Sequence, residues 1–227
     1  INNLVLFDRN TANGMEQIQP GDRVQLSFSL RPDETVRQTP DLTLRVNAEA
    51  QRIQENNVPE SLVGNEVRTI RFQSAVNLLA EARPQSGPIP PVAEQLTQYT
   101  VSMRVESGSS DLANGEVTAT LPTYVSWLDA SVGDGEIEYR ANSRTVVWNV
   151  GDLENNDAAT ISFGIGFLPS ISQVGTTPTL VSNQSFRATD RFTGTTVRDT
   201  SNALTTVLSP ESGYSPMDGR VRRSANE

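Results

Sequence analysis

Residues 98–107, QYTVSMRVES, place an apolar side chain at every second position: Tyr99, Val101, Met103 and Val105, with Thr100, Ser102 and Arg104 between them. A period of two sends alternate side chains to opposite faces, so this stretch predicts a half-buried β-strand. The pattern recurs along the chain. TISFGIGF (160–167) gives Ile161, Phe163, Ile165 and Phe167; DLTLRVNAEA (41–50) gives Leu42, Leu44, Val46 and Ala48; RVQLSFSL (23–30) gives Val24, Leu26, Phe28 and Leu30. EIEYRANSRTVVWNV (136–150) reads as a hairpin, with strands Ile137–Arg140 and Thr145–Val150 around an Asn-Ser turn. Turn residues at Asn13-Gly14, Pro20-Gly21-Asp22, Asn114-Gly115, Gly133-Asp134-Gly135 and Ala141-Asn142-Ser143 break the alternation where a chain reverses. Only Asn57–Gly64 has room for a helical turn. The fold class is all-β.

Strands at regular spacing with polar turns mean sandwiches or barrels. Two antiparallel sandwiches in tandem are expected, over residues 1–74 and 75–208, followed by a polar C-terminal tail, 209–227. QPGDRVQLSFSLR is weakly echoed by AEQLTQYTVSMRV, and each is preceded by a short apolar strand, Leu4–Phe7 and Val76–Ala82. The boundary near Ser74 has no Gly or Pro, which predicts a stiff joint. Pro84–Pro91 then falls inside the second sandwich, as a loop between its first two strands.

Composition narrows the function. The 227 residues contain no His, no Cys and no Lys; all 18 basic residues are Arg. Imidazole, thiol and amine are the usual nucleophiles and general bases near neutral pH, and zinc sites draw on the first two. A net charge of −9 and a pI near 4.6 repel phosphate backbones and anionic lipid, so nucleic acid is not an expected partner. Hydrophobic residues make up 36 % and aromatics 6 %, which suits the thin core of a sandwich. No apolar run is long enough to span a membrane, and no signal-peptide pattern is present. The chain opens on Ile1 rather than Met, which leaves room for a leader or anchor outside it.

From about Asn77 to Thr206 three segments carry a resemblance: QYTVSMRVESGSSDLANGEVTATLP, YVSWLDASVGDGEIEY and SRTVVWNVGDLENNDAATISFGI. In that order they resemble the immunoglobulin-like conserved-repeat domains of bacterial and archaeal cell-surface proteins. SGPIPP, LPSISQVGTTPTLVS and RFTGTTVRDTSNALTT resemble, more narrowly, surface proteins of candidate-phyla bacteria. The resemblance implies Ig-like sandwiches and an extracellular place; residues 1–74 lack the V-x-W-x-V-G hairpin and follow only by strand pattern. Surface proteins of related architecture use Lys–Asn isopeptide crosslinks, and sortase-built pili join through Lys. A chain without Lys can do neither, so any assembly is non-covalent or by strand exchange.

Candidate sites are few. Trp148 and Trp127 read chiefly as core or edge-of-core aromatics, with sugar stacking as the other reading. The acidic turns Gly133–Glu136 and Asp152–Asp157 lack the D-x-[DN]-x-[DN]-G calcium loop, so no metal or cofactor is expected. Ser107–Ser110 has no His or Lys to activate a hydroxyl, and no carboxylate pair stands out for hydrolysis. Asn183-Gln184-Ser185 fits a glycosylation sequon. No catalytic activity is expected. Two functions remain: a structural cell-surface protein that packs with copies of itself in a surface layer or filament, or an adhesin or glycan-binding module. In the first reading Arg220, Arg222 and Arg223 carry the tail onto carboxylates of a neighbouring subunit, because Arg forks grip carboxylates in pairs.

Overall fold

Tyr99, Val101, Met103 and Val105 line the inner face of a strand that runs Thr97–Ser107, and all four are buried. The computed structural model describes residues 4–29, 41–53, 59–208 and 213–224. It divides into two units, Ile1–Glu34 and Thr35–Glu227. In the second unit the strands are β1 (Asp41–Ile53), β2 (Pro59–Arg71), β3 (Val76–Ser86), β4 (Thr97–Ser107), β5 (Leu112–Thr120) and β6 (Val125–Gly133). They continue with β7 (Glu136–Arg140), β8 (Thr145–Leu153), β9 (Ala158–Phe167), β10 (Thr179–Asp190), β11 (Thr196–Thr200) and β12 (Leu204–Thr205).

Strands β3 to β12 form two antiparallel sheets. One has the order β3-β4-β9-β6; the other has the order β11-β10-β5-β8-β7, with β12 also paired to β10. The register sets matching rows on the inner faces. Ala82, Val101 and Phe163 lie side by side across the first sheet. Phe186, Val117, Trp148 and Ile137 lie side by side across the second. Val101, Met103, Trp148, Ile161 and Phe163 share one core, as the alternation predicts. Each large side chain buried there contributes about 1.5–3 kcal/mol. On the outer face of β9 the alternate positions are Gly164 and Gly166, where a Cβ would meet Leu128 and Leu96 at 3.2 Å. Those glycines let the two leucines lie across the strand.

The N-terminal half differs from expectation. Among the described residues before Ser74 the strands are β1 and β2 alone, one antiparallel hairpin paired from Asp41↔Arg71 to Ile53↔Pro59. A sandwich needs two facing sheets, and a first sandwich over 1–74 is not formed by these residues. RVQLSFSL has the right alternation yet carries no strand over 23–29, because among the described residues its backbone has no partner; Leu30 lies outside them. In the first unit Asp8 closes a turn on Asn10 and Thr11, and the Pro20-Gly21 turn closes from Asp22 N–H to the Gln19 carbonyl at 3.0 Å. The expected helical turn at 57–64 is strand from Pro59 onward; 57 and 58 lie outside the described residues. Asn114-Gly115 does not reverse the chain. Asn114 adopts φ 54° and the register against β8 shifts there, so the pair is a bulge within β5.

Between β2 and β3 lie only residues 72–75, with no Gly or Pro. Ser74 N–H donates to Asp190 Oδ2 at 2.7 Å, Gln73 Nε2 to the Thr196 carbonyl at 3.3 Å, and Leu78 N–H to Asp199 Oδ2 at 2.7 Å. The Arg71 guanidinium lies 5.0 Å from the Phe192 ring centre. The joint is short and fastened.

Candidate functional site

The tail does not reach outward. Its described residues, 213–224, lie along their own sandwich as a strap. Val221 is buried, its N–H donating to the Thr176 carbonyl at 3.0 Å and its carbonyl accepting from Gly175 N–H at 2.8 Å. Arg222 N–H donates to the Pro91 carbonyl at 2.7 Å, and its own carbonyl accepts from Ala93 at 2.9 Å. Thr206 Oγ1 donates to the Gly219 carbonyl at 2.6 Å. A Cβ at Gly219 would lie 2.7 Å from Val207 Cα, so only glycine fits this crossing.

Among the described residues Arg220, Arg222 and Arg223 have exposed side chains and no ion pair. Backbone hydrogen bonds and one buried valine hold the strap on its own chain. Composition marks a tail as polar but does not register a single apolar anchor seated in a groove. Val221→Asp should bury a charge there and lower stability by about 2–3 kcal/mol, several degrees in the thermal midpoint. Calorimetry checks this, and limited proteolysis should then cut the strap; an unchanged midpoint and cleavage pattern would mean that Val221 does not anchor it.

The other candidates resolve into fastenings. Trp148 is buried, and its Nε1–H donates to the Asp134 carbonyl at 2.8 Å. Trp127 is half-buried; it stacks on Tyr139 with ring centres 5.6 Å apart and leans on Phe163 at 5.1 Å, closing the sandwich between edge strands β6 and β7. Neither indole stands free as a sugar platform. In the turn Gly133–Glu136, Asp134 Oδ2 accepts from Thr160 N–H at 2.9 Å. In Asp152–Asp157, Asp152 accepts from Asn114 N–H at 3.1 Å and pairs with Arg191. The Asn114 amide first, and Arg191 with it, hold the Asp152 carboxyl below its ordinary value. Among the described residues no group of three acidic, His or Cys side chains converges as a metal site.

Ser107 Oγ lies 3.1 Å from the Asp157 carbonyl and accepts from Asp157 N–H at 3.0 Å; Ser110 Oγ donates to Asp190 Oδ2 at 2.9 Å. These serines tie loops together. Among the described residues Asp190 is the most deeply placed acid. Its Oδ2 serves Ser74 and Ser110, and its Oδ1 accepts from Phe192 and Thr193 N–H at 2.9 and 3.0 Å. Burial pushes this carboxyl up, but the donors together outweigh it and hold it below its ordinary value. Asn183, of the sequon, sits exposed at φ 53° where the β10 register shifts against β5. Arg144, which alternation could not flag, adopts φ 55° and turns its guanidinium onto the Leu121 carbonyl at 3.0 Å and onto those of Pro122 and Val125.

Two surfaces are left. An open groove on the outer face of β10-β5-β8-β7 is lined by Asn114, Glu116, Glu136, Glu138, Asn149 and Arg187, with no aromatic ring. Arg187 already grips Glu116 through two nitrogens at 3.1 and 2.8 Å. The second surface is the β1–β2 hairpin. Val46, Val67 and Ile70 are 50 %, 59 % and 41 % exposed, a degree that a strand face in a packed sheet does not keep.

No protein-family model matches the chain, and no curated protein matches it in sequence. Among solved structures it is similar to the major pilin SpaD of Corynebacterium diphtheriae, with 11 % identity and a TM-score of 0.36 over 56 % of this chain and 33 % of that one. It is also similar to a variant of BcpA, the major pilin subunit of Bacillus cereus, with 11 % identity and a TM-score of 0.39 over 70 % of this chain and 47 % of that one. A third is the GH20 exo-β-N-acetylglucosaminidase of Vibrio harveyi, with 14 % identity and a TM-score of 0.36 over 56 % and 18 %. The chain spans less than half the length of each. These likenesses are loose, and the fold described above rests on its own strand pairing. Among the described residues no helix is long and apolar enough to cross a membrane.

Proposed function

We propose that this chain is a non-catalytic structural protein of the cell surface, a subunit that packs with copies of itself in a layer or filament. The observation that carries the reading is the exposed hairpin: two 13-residue strands on which Val46 and Ile70 on one face, and Val63 and Val67 on the other, stay exposed. An isolated two-stranded ribbon is marginal in water, so a long one with apolar side chains fits a protein that finds a surface to pair with. The chemistry agrees. The serines and the buried carboxylate are spent on holding loops, and the chain has no imidazole, thiol or amine. The sandwich also fits the Ig-like reading. β3-β4-β9-β6 against β11-β10-β5 follows the strand order of a constant-type immunoglobulin domain, with β8 and β7 added beyond β5.

Binding of glycans is the second reading, favoured by the groove and its convergent amides and acids. Its lack of an aromatic ring weighs against sugars. Negative-stain microscopy of the concentrated chain separates the two: sheets or filaments support assembly, whereas dispersed single particles with a saturable glycan signal support binding.

A further inference from the structure

Among the described residues neither strand of the hairpin has a strand partner on its outer edge, and the two edges differ. β2 starts at Pro59 and holds Gly64, and its charges are engaged: Arg68 with Glu66 at 3.0 Å, and Glu60 with Arg52 of β1. Proline and glycine blunt an edge. β1 has neither over its 13 residues. Its central charges, Arg45 and Glu49, have no ion pair or side-chain hydrogen bond among the described residues. They face Val67 and Val63 across the hairpin. Four residues apart on one strand, they stand about 13 Å from each other and cannot pair.

Both lie two residues from Asn47, one on each side. We infer that β1 pairs antiparallel with the β1 edge of a second copy, about a two-fold axis at Asn47. In that register residue 45 of each copy lies opposite residue 49 of the other, which gives two identical Arg45–Glu49 pairs on one face. On the other face Val46 meets Ala48 and Leu44 meets Ala50, so apolar side chains meet along the seam, with Glu66 and Arg68 of β2, paired with each other, flanking Val46 and Leu44. Roughly a dozen backbone hydrogen bonds replace bonds to water. No other register on β1 satisfies both charges in both copies at once. A two-fold contact closes on itself, so a layer or filament needs a second contact elsewhere. The inference rests on the self-assembly reading above and names one interface of it.

Charge exchange tests it on the full chain. Arg45→Glu sets glutamates opposite each other at two places, and Glu49→Arg does the same with arginines. Each alone should weaken dimerisation about tenfold or more. The double variant R45E/E49R should restore it. Because the chain has no Cys, Asn47→Cys adds a single thiol, which should form an interchain disulfide on mild oxidation, since directly paired strand residues are within bridging range. Ser61→Cys on β2 should not. Circular dichroism confirms that each variant keeps its sheet. Association that ignores the charge variants, with no crosslink at residue 47, overturns this interface and leaves self-assembly standing. A chain that stays monomeric at every concentration overturns both.

Discussion

Replacing Asp190 with alanine is expected to cost about 3–5 kcal/mol of stability. The carboxylate is buried and accepts four hydrogen bonds, from Ser74, Ser110, Phe192 and Thr193. Those donors come from three places: the joint after the hairpin, the loop after β4 and the turn after β10. Alanine leaves all of them without that acceptor. Asparagine keeps one acceptor oxygen but puts an N–H donor in place of the other, against either Ser74 or Phe192 and Thr193, so Asp190→Asn is also expected to destabilise. The pH dependence has a definite sign. A carboxyl held below its unfolded value binds fewer protons in the folded state, so its contribution is complete above about pH 4 and fades as pH falls through the folded value. Denaturant unfolding at neutral and acid pH should show a gap between parent and Asp190→Ala that narrows below about pH 4. A gap equal at both pH values would mean that Asp190 works through packing and not through its charge.

Trp148→Ala is expected to cost a similar 3–5 kcal/mol, because the indole fills the centre of the second sheet between Val117 and Ile137. Phenylalanine there keeps most of the packing but loses the N–H that meets the Asp134 carbonyl, and should cost less, about 1–2 kcal/mol. Thermal unfolding ranks the two. Equal losses would put the value of Trp148 in its hydrogen bond and not in the core.

Alternation revealed the sandwich because the core is built from it. YTVSMRVES, TISFGIGF and the 136–150 hairpin each bury one face against the same core, so the period of two reports a tertiary fact. Residues 23–29 of RVQLSFSL have the same period and, among the described residues, no strand, because a pattern records a preference for a face and does not supply the partner that the backbone requires. Asn114-Gly115 reads as a turn because Asn and Gly tolerate positive φ, which a bulge needs just as much. The Arg cluster of the tail drew attention by charge, while the anchoring falls to Val221 and to backbone bonds that composition does not encode. Arg144 and Asp190 are not legible in the sequence for a related reason: each ties down groups distant in sequence, Arg144 the carbonyls of Leu121, Pro122 and Val125, and Asp190 the Ser74 amide and the Ser110 hydroxyl. The significance of Arg45 and Glu49 appears only once the hairpin register shows what lies opposite them.

Sedimentation velocity of the intact chain, from micromolar to millimolar concentration, tests the central claim most directly. A structural subunit that packs with its own copies should sediment as a 24.7 kDa chain when dilute and shift steadily to larger species as concentration rises. A single species of 24.7 kDa across the whole range would contradict the account.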